Sequence, residues 1–262
     1  MSKMLNNNKN KILISKTIVL IAMLFSLLMP SLSFASEKVS MTIKNPDPYN
    51  GNQSWFNYEK KPGDTILDSV ILTNQGDEQT EVKLYAADAS SNEAGSFILN
   101  DNTDIQVNIG LWTQISQSLV SLNPGETKEI PFKIIIPSQI APGNYAGGIV
   151  MENNDQNEKC KSPSVTNQNC IPSINIKTRV GNRIYLTIPG EAIDNIKWTN
   201  FSYQSSQEGR VDFKFKFNNE GNVAYIPKAN IEISDLMGKK IEVLDTTLGE
   251  SMPGTSIEPV TS

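Results

Sequence analysis

Val211-Asp212-Phe213-Lys214-Phe215-Lys216-Phe217 places an apolar side chain at every second position and a charged one at each position between. A period of two sends the two sets to opposite faces of an extended strand, one toward a core and one toward water. A half-buried antiparallel sheet has this pattern, and a helix does not. The pattern recurs through the chain. Ile130, Phe132, Ile134 and Ile136 alternate with Glu129, Pro131 and Lys133. Pro131 has no N–H for a ladder, so this strand is expected at a sheet edge or with a bulge. Val82, Leu84 and Ala86 alternate with Glu81, Lys83 and Tyr85. Ile174, Ile176 and Thr178 begin a strand expected to turn at Gly181-Asn182 and to continue through Ile184, Leu186 and Ile188. Ile231 and Ile233, then Ile241 and Val243, flank a turn at Met237-Gly238-Lys239. Past residue 35 no helical stripe is sustained, and one short helical turn is expected around Thr103–Trp112.

Pro-Gly recurs at 62–63, 124–125, 142–143, 189–190 and 253–254. Proline presets φ at the first central position of a type II turn, and glycine supplies the positive φ that follows. Short strands joined by such turns predict an all-β chain of Ig-like β-sandwiches. A weak repeat runs through it. Val70–Thr73 leads into Asn74-Gln75-Gly76-Asp77, and Phe213–Phe217 leads into Asn219-Glu220-Gly221-Asn222, each followed by more β sequence. Two related domains are expected, 36–189 with an insertion at about 152–172, and 190–262; two hairpins alike by chance are the alternative. A sandwich of this kind takes roughly a hundred residues, so the second domain is expected to be incomplete, its last strands lying elsewhere.

The N-terminus carries Lys3, Lys9, Lys11 and Lys16, then the apolar run Ile18–Leu28, Pro30 and the small residues Ser33 and Ala35. Residues 1–35 read as a secretory signal peptide cleaved between Ala35 and Ser36; an uncleaved anchor is the alternative, though the run is short for a bilayer span. Either way the remainder lies outside the cytoplasm. The chain's formal charge is −5, and removing the four leader lysines makes it −9. Such acidity, with only Arg179, Arg183 and Arg210 as arginines, argues against nucleic acid as a partner. The absence of histidine removes the usual general base, the usual metal ligand and any Ser-His-Asp triad. Only carboxylate chemistry survives, and no enzymatic activity, cofactor or metal is implied. Cys160 and Cys170 form an even count outside the cytoplasm and predict one disulfide closing a short loop.

Four ordered blocks resemble one family. They are Trp55-Phe56-x-Tyr58 with Pro62-Gly63-Asp64 and Val70–Asp77; Trp112 with Leu122–Glu126 and Ile136-Pro137; Pro142–Ile149; and Gly221-Asn222-Val223 with Pro227 and Ile231–Ile233. Together they are similar to the DUF916 group of bacterial surface proteins, related to WxL-interacting proteins. The resemblance implies a two-domain Ig-like protein on the extracellular face of the bacterial cell envelope. It implies a first domain associated with peptidoglycan and a second with a protein partner. A C-terminal transmembrane helix and basic tail usually follow in that group. This chain has neither, nor a Leu-Pro-x-Thr-Gly motif, so membrane contact is expected only through an anchor missing from it.

Aromatic faces suit the apolar faces of sugars, which makes Trp55 and Tyr58 candidates for glycan contact. Phe56 and Tyr58 share one strand face, where core packing is the favoured reading; Trp112 and Trp198 carry the same ambiguity. Asn45, Asp47 and Asn50, or Asp101, Asn102 and Asp104, offer oxygens for calcium, though solvated turns use the same residues. Asp88, Glu93 and Asp101 are the acids to examine for glycoside hydrolysis. The leading expectation is a non-catalytic envelope protein that binds cell-wall glycan or a surface protein. A periplasmic chaperone-like sandwich that donates a strand and an accessory module of a carbohydrate-active enzyme are the alternatives.

Overall fold

A computed structural model of the chain describes residues 39–44, 55–153, 178–205 and 210–261. The leader with Ala35 and Ser36, the group Asn45, Asp47 and Asn50, the Cys160–Cys170 pair and the strand onset at Ile174 and Ile176 lie outside the described residues. Residues Lys38–Ser262 form one compact unit, and it is nearly all β. Among the described residues no helix is long and apolar enough to cross a membrane.

In chain order the first ten strands are β1 (Val39–Ile43), β2 (Phe56–Glu59), β3 (Thr65–Asn74), β4 (Thr80–Ser91), β5 (Phe97–Leu99), β6 (Thr113–Ile115), β7 (Leu119–Leu122), β8 (Thr127–Ile135), β9 (Gly143–Asn153) and β10 (Arg179–Ile188). A single helical turn, α1 (Ile109–Trp112), precedes β6. One sheet has the order β1-β3-β8-β6. The other runs β2-β10-β9-β4-β5, with β7 on β4. The chain's first strands serve both sheets, because β1 pairs antiparallel with β3 while β2 runs parallel to β10. Between the sheets lies one core that includes Phe56, Val70, Leu72, Leu84, Ile134 and Ile184, all nearly inaccessible.

The second group of strands is β11 (Ile196–Ser205), β12 (Val211–Asn219), β13 (Lys228–Ser234), β14 (Lys240–Thr247), β15 (Ser256–Ile257) and β16 (Val260–Thr261). β12 pairs with β11 on one side and with β15 and β16 on the other, and β13 pairs with β14. The expected alternation holds: Phe213, Phe215 and Phe217 are buried with Leu248 and Ile257 in a second cluster. The expected turn between β13 and β14 forms around Asp235, whose carboxylate accepts from the N–H groups of Met237 and Lys239, both at 2.9 Å.

The repeat has a structural counterpart. Asn74 ends β3 fully buried, and its side-chain amide donates to the carbonyls of Glu78 (2.8 Å), Leu122 (3.1 Å) and Asn123 (3.1 Å) while accepting from Gly76 N–H (2.9 Å). Asn219 ends β12 equally buried. It donates to Val223 (2.8 Å) and Ser251 (2.9 Å) and accepts from Gly221 (3.0 Å). Each asparagine's backbone carbonyl also receives the N–H of a distant Pro-Gly glycine, Gly125 at 3.0 Å and Gly254 at 2.8 Å.

Three of the five Pro-Gly pairs turn as expected. Gly63, Gly125 and Gly254 have φ of 86°, 70° and 74°, and the carbonyl before each proline accepts from the N–H after each glycine. Gly143 and Gly190 depart from the expectation, with φ of 145° and 157°. Gly143 opens β9 and Gly190 follows β10. Pro131 leaves the β3–β8 ladder intact, with Ser69 opposite it and no register shift. Its carbonyl faces the other side, where β6 pairs only as far as Phe132 and Ser116 N–H donates to Pro131 at 3.0 Å. The strand is thus neither a sheet edge nor bulged: β8 lies between β3 and β6, and the proline is tolerated where the β6 ladder has ended. Gly181-Asn182 does not turn. Both lie within β10, which pairs continuously with β9 from Arg179 to Ile188. The dipeptide has turn composition, but ten cross-strand pairs outweigh that local preference.

Replacing Asn74 by Asp turns a donor facing three carbonyls into an acceptor. Asn74→Asp and Asn219→Asp are each expected to lower the unfolding free energy by about 3 kcal/mol, and the alanine variants by about 2 kcal/mol. Urea titration of each variant checks this, and losses below about 0.5 kcal/mol would contradict it.

Candidate functional site

Because β10 is one strand, its side chains divide cleanly. Asn182, Ile184, Leu186 and Ile188 are buried toward the core. Arg179, Gly181, Arg183, Tyr185 and Thr187 alternate with them and line the outer face of the sheet. Cross-strand pairing sets Asn57 of β2 beside Tyr185. It also sets Ala146 of β9 beside Tyr185 and Asn144 beside Thr187. Phe97 of β5 reaches across to meet the Tyr185 ring edge-on, at 5.6 Å between centroids.

The segment Leu248–Pro253 lies against this face. Gly95 and Gly249 approach so closely that a Cβ on Gly95 would stand 2.9 Å from Gly249 Cα. Both have positive φ, so only glycine suits either position. Glu250 N–H donates to Gly95 O at 2.8 Å and Met252 N–H to Ser91 Oγ at 3.2 Å. Nearby, Asn144 N–H donates to Asn222 O (2.8 Å), Asn222 Nδ2 to Pro142 O (2.9 Å) and Ala224 N–H to Asn144 Oδ1 (2.9 Å). These bonds join the two groups of strands along one seam.

Between them opens a cleft of about 350 Å³, lined by Asn57, Asn144, Tyr185 and Thr187 on the sheet side and by Glu250 and Met252 on the other. Burial pushes the Glu250 carboxyl above the usual carboxylate range, against the pull of the Arg183 charge and of a hydrogen bond from Tyr185. Burial likewise raises Tyr185. Amides, hydroxyls, the two aromatic rings of Tyr145 and Tyr185, a thioether and the single carboxyl of Glu250 make a surface for a hydroxyl-rich ligand. A second depression of about 260 Å³ lies further along β10, with Phe97, Leu99, Val150, Gly181, Arg179 and Arg183 as its lining.

The residues singled out in the sequence fall elsewhere. Trp55 is exposed just before β2. Tyr58 is half-buried, stacks with Phe56 at 6.0 Å and donates to Asp68 Oδ2 at 2.8 Å. That is the core reading, and burial followed by Asp68 raises its pKa far above the phenol range. Trp112 is buried against Tyr145, at 5.2 Å. Trp198 is exposed on β11 and packs beside Phe217 at 5.1 Å. Asp88 is buried and accepts from the N–H groups of Val107, Asn108 and Gly110, capping the start of α1 from a neighbouring strand. That carboxylate is structurally committed. Glu93 lies in the β4–β5 connection. Asp101 accepts from Asn102 N–H and pairs with Arg179 at 3.4 Å, while Asp104 accepts from Asp101 N–H. Among the described residues no group of three acids could hold a metal ion.

Residues 36–153 match the family model described as "WxL Interacting Protein, peptidoglycan binding domain". The WxL-interacting-protein-like resemblance is thereby shown over that segment, and the match supports cell-wall binding and a cell-surface location. No curated protein matches the chain. Solved structures similar to it include a chain of the chaperone–tip adhesin complex of CFA/I fimbriae biogenesis, at 15% identity over 84% of each chain with a TM-score of 0.40. Another is the class 5 fimbriae chaperone CfaA, at 13% over 83% of this chain and 84% of that one, with a TM-score of 0.39. A third belongs to the CsuC–CsuE chaperone–tip adhesion subunit complex of Acinetobacter baumannii, at 10% over 85% and 88% with a TM-score of 0.42. Likenesses this distant say nothing of ligand or partner.

Raising the native pKa of Glu250 means that the folded chain holds this proton more tightly than the unfolded one. The associated stability is present below the ordinary glutamate pKa and is lost as pH rises through the raised native value. Urea midpoints measured from about pH 4 to pH 7 are expected to show this component in the wild type and to lack it in Glu250→Gln. Parallel profiles would contradict the assignment.

Proposed function

We propose that this chain is an exported, non-catalytic envelope protein that binds cell-wall peptidoglycan on the outer face of the β2-β10-β9-β4-β5 sheet. The reading takes residues 1–35 as the leader, and 36–189 and 190–262 as two domains. One observation carries it: the segment matched to a peptidoglycan binding domain, 36–153, supplies five of the six strands of that sheet, all but β10.

The cleft chemistry agrees with this. A neutral amino sugar offers hydroxyl and acetamido groups that pair with the Asn57 amide and the Thr187 hydroxyl, and an apolar ring face that packs on Tyr185. Trp55, two positions before Asn57, extends the same outer side of β2 and keeps its place as a glycan candidate. Binding here requires no covalent step, and the cleft lining contains one carboxylate, Glu250, where glycoside hydrolysis commonly uses two. The surface protein partner finds its support on β11, where Trp198, Phe201 and Tyr203 present large exposed aromatic faces, the residue type that anchors protein interfaces.

Co-sedimentation with purified sacculi tests the glycan arm. Tyr185→Ala and the double variant Asn57→Ala/Thr187→Ala are each expected to weaken binding roughly tenfold. Trp55→Ala is expected to weaken it less. Wild-type binding that survives all three changes would overturn the placement, and a folded wild type that fails to sediment would overturn the function.

A further inference from the structure

Two of the chain's three arginines, Arg179 and Arg183, stand four residues apart on one face of β10. Gly181 lies between them, and Leu99 of β5 covers it: a Cβ at Gly181 would stand 2.5 Å from Leu99 Cδ1. The depression formed here has an apolar floor of Leu99 and Val150 and a guanidinium at either end, with no carboxylate in its lining. Arg179 is held in place by Asn100 O at 2.9 Å and Asp101 at 3.4 Å, and its guanidinium lies 5.6 Å from the Tyr85 ring centroid. Arg183 stacks on Phe97, with its guanidinium carbon 4.5 Å from the ring centroid. Stacking leaves the in-plane N–H groups of a guanidinium pointing outward; one side of Arg183 is engaged by the Tyr185 hydroxyl, and a planar carboxylate matches a guanidinium fork with two parallel hydrogen bonds. Three acids approach these cations, Asp101 paired with Arg179, Glu152 opposite Arg179 in the β9–β10 register, and Glu250 toward Arg183, and all three lie outside the lining.

The depression adjoins the sugar cleft. Tyr185, which lines the cleft, is two residues beyond Arg183 on the same face, about 7 Å along the strand. The Phe97 ring joins them, touching Tyr185 on one side and Arg183 on the other. We propose that the Arg179–Arg183 depression binds the free carboxylate of a short peptide attached to the sugar in the neighbouring cleft. Arg183 takes the carboxylate on its fork, and Arg179 closes the far end. The proposal rests on the glycan reading of the cleft and adds that the ligand is read as sugar and peptide together.

The test titrates the full secreted chain by calorimetry with three probes. These are a wall disaccharide carrying a peptide with a free C-terminal carboxylate, the same compound with that carboxyl amidated, and the disaccharide alone. Amidation is expected to weaken wild-type binding about tenfold and to make no difference in Arg183→Gln. Arg183→Lys keeps the charge but not the fork and is expected to lose most of the preference. Arg210→Gln is expected to retain it, and Tyr185→Ala to weaken all three probes. Unfolding midpoints near the wild-type value show that the variants are folded. Equal wild-type affinity for the free and amidated compounds, with the disaccharide still bound, would overturn the carboxylate site and leave the glycan reading standing. Binding of none of the three would overturn both. Competition by inorganic phosphate without any effect of amidation would assign the depression to a phosphate group and overturn the peptide assignment.

Discussion

A buried asparagine amide at the end of a strand is the interaction on which the rest of the structure depends. Asn74 cannot leave its amide unpaired without a cost of about 1–3 kcal/mol per buried group. Its bonds join the β3–β4 turn to the strand end before Pro124-Gly125. Those contacts set where β3 stops and β8 begins, and so set the register of Thr65–Asn74 against Thr127–Ile135. In a sheet of period two a one-residue slip would exchange core for surface along the whole strand. Asn219 repeats the device, tying the β12 end to Ser251 just before Pro253-Gly254. The segment that forms the far wall of the cleft is therefore held at one end by this second asparagine.

From there the seam follows. The facing glycines Gly95 and Gly249 let two loops meet backbone to backbone, and the Asn144–Asn222 exchange fixes the other side. A cleft with both walls hydrogen-bonded in place loses little freedom on binding, which favours affinity for a ligand that offers few strong contacts. The same seam places Glu250 near Arg183 and Tyr185, so the cleft and the cationic depression share one boundary. The family match ends at residue 153, while β10 and Leu248–Pro253 supply much of the chemistry described for this face.

Much of the fold was legible in the sequence. Phe213, Phe215 and Phe217 alternate with charged residues over a stretch long enough to identify the strand and its buried face. Asn74 and Asn219 stood out through their shared Asn-x-Gly context. The site was far less legible. Gly181-Asn182 has turn composition, and reading it as a turn separated Arg179 from Arg183 and Tyr185; one uninterrupted period-two count from 179 to 188 would have gathered them. Pro142-Gly143 and Pro189-Gly190 look like the other Pro-Gly pairs and behave differently; a Cβ at Gly143 would collide with Asn222 and one at Gly190 with Pro142, neighbours distant in sequence. Asp88 read as a candidate acid, since nothing nearby in sequence shows that it caps a turn twenty residues on. Of the two glycan candidates, Tyr58 serves the core and Trp55 stays on the surface, as strand alternation at Phe56 requires.

The central claim is that one face of one sheet, completed by Leu248–Pro253, is the wall-binding surface. Backbone amide shifts followed by NMR during titration with a soluble disaccharide-peptide fragment of peptidoglycan test it most directly. The account predicts perturbations grouped at Asn57, Ala146, Arg183, Tyr185, Thr187 and Glu250, with the β3–β8 face silent. Shifts confined to β3 and β8, or to the exposed aromatic face of β11, would contradict it.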